Sequence, residues 1–94
     1  MSLTFGWDPR KAASNLRKHK VSFEEAATAF GDPRSLSVPD PAHSYGEERF
    51  ILIGRSERTR LLVVVHLEIT ETHLRLISAR LANRQERQIY DEDL

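Results

Sequence analysis

Apolar and polar positions change rhythm along this chain, and each rhythm predicts an element. In LTFGW, Leu3, Phe5 and Trp7 fall on alternate positions and read as a short strand. Asp8 and Pro9 then open a helix, because the carboxylate accepts from unpaired first-turn amides and proline has no amide to leave unpaired. The spacing predicts this helix from Pro9 to His19, with Ala12, Ala13 and Leu16 turned inward and Arg10, Lys11, Arg17 and Lys18 in solvent. Ser22 and Glu25 form a capping box for a second helix, Phe23 to Phe30, ended by Gly31 and Pro33. SLSV reads as a brief edge strand and PDPAHSYG as a loop. Three longer strands follow, Glu48–Arg55, Arg60–Ile69 and His73–Arg80, with connections short enough for hairpins. Asn83 and Glu86 repeat the capping pattern before a last helix from Arg84 to Asp91.

This order predicts a small α+β domain spanning residues 1–94. Its antiparallel sheet is a three-stranded meander plus the N-terminal and short edge strands, with two N-terminal helices and one C-terminal helix packed on one sheet face. Register then chooses the faces, since a slip of one residue moves every side chain to the other side. In the central strand Leu61, Val63, Val65, Leu67 and Ile69 form a wholly apolar set, expected on the core. The alternate set, Leu62, Val64, His66 and Glu68, turns from apolar to polar. A turn at Glu71 and Thr72 sets Glu68 opposite Arg75, and a turn centred on Glu57 and Arg58 sets Arg49 opposite His66. The expected result is a polar cluster of Arg49, His66, Glu68 and Arg75, with Glu47 beside it, at one end of the solvent-facing sheet surface.

Composition narrows the classes. Hydrophobic residues make up 39% and charged residues 30%, as in a soluble globular protein, and the one long apolar run is too short to span a bilayer. The chain has no cysteine and its first residues lack a secretory pattern, so a reducing cytoplasm is the expected location. Net charge is zero, which argues against attraction of the whole protein to nucleic acid, but the charges are segregated. Arg10 to Lys20 carries five Lys or Arg and no acid, Arg75 to Arg87 carries four Arg against Glu86, and the chain ends in DEDL.

A histidine can move a proton near neutrality, a carboxylate can orient it or act as base, and arginines can grip a phosphate by paired hydrogen bonds. In RNA the 2′-hydroxyl supplies the nucleophile, so such a cluster needs neither a metal nor a nucleophilic side chain. The chain has no P-loop, no HExxH pair, no nucleophile elbow and no metal-ligand spacing among His19, His43, His66 and His73. No cofactor is expected. Pattern alone also admits a satisfied structural histidine, an ordinary Glu68–Arg75 cross-strand pair and arginines that only solvate the last helix.

The series FGWDPRKAASNLRKHKVSFEEAATAF, DP, GEERFILIGRS, LLVVVHLE and LRLISARLANRQERQIY covers nearly the whole chain in order and resembles the BrnT family of bacterial toxins. The resemblance implies a RelE-like fold and an endoribonuclease that inhibits translation by cutting RNA without a metal. It also implies a hetero-oligomer with a BrnA-type ribbon-helix-helix antitoxin, through which alone DNA would be contacted. His66 and Glu68 with Arg49, Arg75 and Arg80 are the catalytic residues it implies, His66 as general acid or base and the arginines on the phosphate. Lys18, Arg55 and Arg84 are expected RNA contacts. The antitoxin is expected to dock on or near the polar sheet face. Three residues depart from the family pattern: Lys20 stands for the glycine of KHG, Ile69 for an arginine and Leu81 for a lysine. Two missing charges leave a second expectation, a weakened protein-binding module that acts mainly as antitoxin partner and operon co-repressor.

Overall fold

The computed structural model describes residues 2–40 and 48–92. Most of the expected loop over 39–46, with His43 and Glu47, lies outside them. The strands are β1 (Thr4–Gly6), β2 (Leu36–Pro39), β3 (Arg49–Arg55), β4 (Leu61–Glu68) and β5 (His73–Leu81). The helices are α1 (Pro9–His19), α2 (Phe23–Thr28), continued by a 3-10 turn over Ala29–Gly31, and α3 (Arg84–Glu92).

Capping chemistry sets the helix starts as the residues suggested. Asp8 accepts from the Arg10 amide at 2.8 Å and Ser22 Oγ from the Glu25 amide at 3.0 Å. Asn83 and Glu86 cap each other reciprocally at 2.8 Å. Lys20 ends α1 in the left-handed region, with φ of 60°, where a glycine carries no Cβ penalty. Lys20→Gly is therefore expected to stabilise the fold by about 0.5–1 kcal/mol, the left-handed cost less glycine's extra unfolded-state entropy. A thermal melt that fails to move upward would show that Lys20 has compensating contacts.

The five-stranded sheet has the order β1-β5-β4-β3-β2. The expected meander β3-β4-β5 is present, but β1 lies parallel to β5, so the sheet is mixed and not antiparallel. A three-residue strand that pairs with a segment nearly seventy residues away carries no local sign of its direction.

Nor do the helices share one face. Helices α1 and α2 cover a core in which Phe23, Leu62, Val64, Leu76 and Ala79 are fully buried, with Trp7 edge-on to Phe23 at 5.7 Å between centroids. Each large side chain there contributes about 1.5–3 kcal/mol. Helix α3 lies on the opposite face, where Tyr90 packs with Ile53, Leu61 and Val63. The physical reason is in β4, whose residues Leu61 to Val64 are buried on both alternating sets, so that each face needs a cover.

Candidate functional site

Two small irregularities in the sheet decide which side chains meet. At the β3–β4 connection Ser56 N–H donates to the Arg60 carbonyl at 2.8 Å, and Thr59 N–H donates to that of Ser56 at 2.8 Å. Thr59 has φ of 64°. The loop is thus three residues, Glu57 to Thr59, closed by a left-handed residue, in place of a two-residue turn. This slides β3 by one position, so that Phe50 lies opposite His66, Leu52 opposite Val64 and Arg49 opposite Leu67. A β-branched threonine is a poor sequence signal for a left-handed position, which is why the shorter turn was expected.

The second irregularity is in β5. From Leu62–Leu81 to Val65–Ser78 the strand keeps the expected register, but Ile77 has no partner on β4 and acts as a bulge. Beyond it His66 lies opposite Leu76, Leu67 opposite Arg75 and Glu68 opposite Leu74. The expected cluster is therefore split. Arg49 and Arg75 flank Leu67 on the face that carries α3, while His66 and Glu68 turn to the other face. Both faces of β4 are buried: Leu62, Val64 and His66 point into the main core, and Leu61, Val63 and Leu67 are buried on the face that carries α3 and the arginines.

His66 is 2% exposed and stands between aromatic rings, edge-on to Phe30 at 4.8 Å and stacked with Phe50 at 5.9 Å. Burial pushes its pKa down, opposed in part by the contact from Nδ1 to the Val64 carbonyl at 3.3 Å. His66 thus lies opposite Phe50 in the aromatic core and not opposite Arg49, which corrects the expected cross-strand cluster. Glu68, at the end of β4, is exposed.

The arginines fare differently. Arg49 is half-buried, and its Nε is enclosed without a hydrogen-bond partner among the described residues. Arg75 is exposed. Arg80, opposite Val63 on the same face, gives both ends of its guanidinium to the two Glu86 oxygens at 2.8 Å. That pair holds the Glu86 carboxyl below its ordinary range. Arg55 donates to the Thr59 carbonyl at 3.0 Å and lies 5.6 Å from the Tyr90 ring centroid, as Arg34 does. Arg84 is exposed at the start of α3, and Lys18 stands on α1.

One further titratable group stands on the arginine face. His73 is two positions before Arg75 on β5, and its Nδ1 lies 2.8 Å from Thr4 Oγ1 of β1. A Cβ on Gly6 would come within 3.3 Å of its Nε2, so the glycine leaves room for the ring. The alternation His73, Arg75 was legible in the sequence, but only the pairing with β1 shows what orients the imidazole. Ile69, where the resemblance expects an arginine, is exposed and bonds to the His73 carbonyl. Among the described residues no three His, Asp or Glu side chains are placed to hold a metal ion.

The family described as "Ribonuclease toxin, BrnT, of type II toxin-antitoxin system" matches residues 7–86. The chain belongs to the BrnT family. It is a ribonuclease toxin of a type II toxin–antitoxin system, with RNA as its target and an antitoxin as its partner. No curated protein sequence matches the chain. The crystal structure of the Brucella abortus ribonuclease toxin BrnT is similar in fold, with a TM-score of 0.68 and 21% identity over 88% of this chain and 100% of that one. The mixed five-stranded sheet and three helices are thus a BrnT architecture. No helix among the described residues is long and apolar enough to cross a membrane.

Proposed function

We propose that this BrnT-family toxin cuts RNA on the sheet face that carries Arg49, Arg75 and Arg80, by attack of the 2′-hydroxyl on the adjacent phosphorus and without a metal. The attacking 2′-oxygen forms its bond as the bond to the 5′-oxygen breaks, which leaves a 2′,3′-cyclic phosphate and a 5′-hydroxyl. The observation that carries this reading is the free guanidinium pair, Arg49 and Arg75, set on either side of Leu67 with no carboxylate paired to them among the described residues. Such donors stabilise the charge that develops on the phosphoryl oxygens. Arg80 joins them when a phosphate displaces Glu86. Proton transfer we assign to His73, which shares this face, in the role first expected of His66. Glu68, the other expected acid or base, lies on the opposite face.

The antitoxin we take to be of the BrnA ribbon-helix-helix type, docked over these arginines so that it excludes RNA, and the place of action to be the cytoplasm. The fold is read as RelE-like, with residues 1–94 acting as a single domain. Cleavage of purified RNA in EDTA tests the chemistry. The expected outcome is cleavage with cyclic-phosphate ends that survives in folded His66→Leu and is lost in His73→Ala. Activity that appears only on adding Mg²⁺ would overturn the metal-free step, and loss in His66→Leu at unchanged stability would return the catalytic role to the buried histidine.

A further inference from the structure

The arginine face ends at the free side of β5, where α1 lies alongside. β1 pairs only with residues 73–75 of β5, so the strand beyond has an open edge. Asn15, 6% exposed, supplies the missing partner: its amide nitrogen donates to the Ala79 carbonyl at 2.8 Å and its oxygen accepts from the Ala79 amide at 3.0 Å. The same nitrogen donates to the Val21 carbonyl at 2.9 Å. One side chain thus fixes the height and rotation of α1 against β5.

That rotation has a consequence for charge. Lys11, Ser14, Asn15 and Lys18 follow the i, i+3, i+4, i+7 spacing and form one stripe of α1. With Asn15 pinned to Ala79, the stripe faces β5 at its bulge and encloses an open groove of about 200 Å³. Lys11, Ser14, Lys18 and His19 line one side, and Ile77 and Ser78 the other. Among the described residues no carboxylate lines it and neither lysine has an ion pair. Lys18 and His19 occupy the last turn of α1, where the helix dipole favours positive charge. The bulge matters because Ile77, having no partner on β4, reaches the groove, and Ser78 follows it three residues from Arg75, roughly 10 Å along the strand.

We propose that this groove is a second anion subsite, which holds a backbone phosphate of the RNA next to the one cut on the arginine face. Lys11 and Lys18 are its charged ligands, and Ser14 and Ser78 its hydroxyl donors. The inference rests on the reading of the arginine face as the cleavage site and extends it by giving the RNA a direction, across the edge of β5 and onto α1. The subsite binds without acting on the reacting atoms, so it sets affinity and register while the turnover of bound RNA depends on the arginine face.

The test uses the full chain and a fluorescent single-stranded oligonucleotide whose 2′-positions are all O-methylated, which binds but cannot be cut. Wild type, Lys11→Gln with Lys18→Gln, and Arg58→Gln are compared over a salt series, with melting curves to establish that each is folded. Arg58 is an exposed charge on the β3–β4 loop and serves as the control. The double variant is expected to bind about tenfold more weakly at low salt and to lose about 0.7 from the slope of log affinity against log salt, the loss for one phosphate contact on a single strand. On cleavable RNA it is expected to raise KM and leave kcat near wild type. Affinity and slope equal to those of Arg58→Gln would overturn the subsite while the cleavage site stands. Loss of kcat with unchanged affinity would also overturn it, by making the lysines part of the chemistry. Wild type that neither binds the probe nor cuts RNA would overturn both readings together. A double variant that binds RNA normally but no longer binds the antitoxin would assign the groove to the protein partner.

Discussion

Arg75→Gln is expected to lower kcat for RNA cleavage by about a hundredfold to a thousandfold, with a smaller change in KM. Arg75 is exposed on β5 and has no acid partner among the described residues, so its removal costs little stability. In the cleavage we propose, it removes a donor to charge that grows only as the 2′-oxygen attacks. Arg49→Gln should act in the same direction on catalysis, since Arg49 flanks Leu67 from the other side. Its Nε is already enclosed without a partner among the described residues, and a neutral amide there should leave the melting temperature unchanged or slightly raised. Single-turnover cleavage beside a binding isotherm separates the cases. Weaker binding with an unchanged cleavage rate would reduce these arginines to a docking site and move the chemistry elsewhere.

The largest stability loss is expected at Glu25, a carboxylate that no substrate reaches. Its side chain is 3% exposed, Arg60 bonds both of its oxygens, and Ser56 Oγ donates to it at 2.7 Å. Arg60 also donates to the Lys20 carbonyl at 3.0 Å, so the network ties the end of α1 and the start of α2 to the β3–β4 loop. Glu25→Ala should cost about 2–3 kcal/mol, because it breaks the pair and leaves Ser56 and a guanidinium that is 31% exposed without their acceptor. That is a large share of the roughly 5–15 kcal/mol typical of a domain.

The pH dependence gives a sharper check on the same pair. The Arg60 hydrogen bonds hold the Glu25 carboxyl below its ordinary range. A depressed carboxylate contributes stability that is complete above the unfolded pKa and is lost as pH falls through the folded one. Urea midpoints of wild type and Glu25→Gln should therefore differ near neutrality and converge in acid. A difference that persists at low pH would mean that the glutamate acts through shape and not through charge.

Much of this molecule was legible in its residues. The caps at Asp8, Ser22 and Asn83 placed the three helix starts, and period-two runs placed β3, β4 and β5 to within a residue or two. These are local signals, since an oxygen bonds an amide two or three residues away and a pleat alternates whatever lies around it. The family motifs identified a ribonuclease toxin, and the arginines named from them stand on one sheet face.

What the residues could not decide was which side chains face each other. Thr59 in a left-handed conformation added one residue to a turn, and the bulge at Ile77 added one to a strand. Each moved a register by a single step, and a single step in a sheet changes the face of every residue beyond it. Arg49 and Arg75 therefore fell beside Leu67, while His66, on the set of Leu62 and Val64 in either register, lies in the core that α1 and α2 cover. Both shifts are stabilised by contacts far away in sequence: Glu25 bonds Ser56 beneath the turn, and Asn15 bonds Ala79 beside the bulge. The chain thus determined by itself its elements, its charges and its family. Only the packed structure decided which of those charges share a surface, because that choice rests on nonlocal hydrogen bonds with no periodic trace in the sequence.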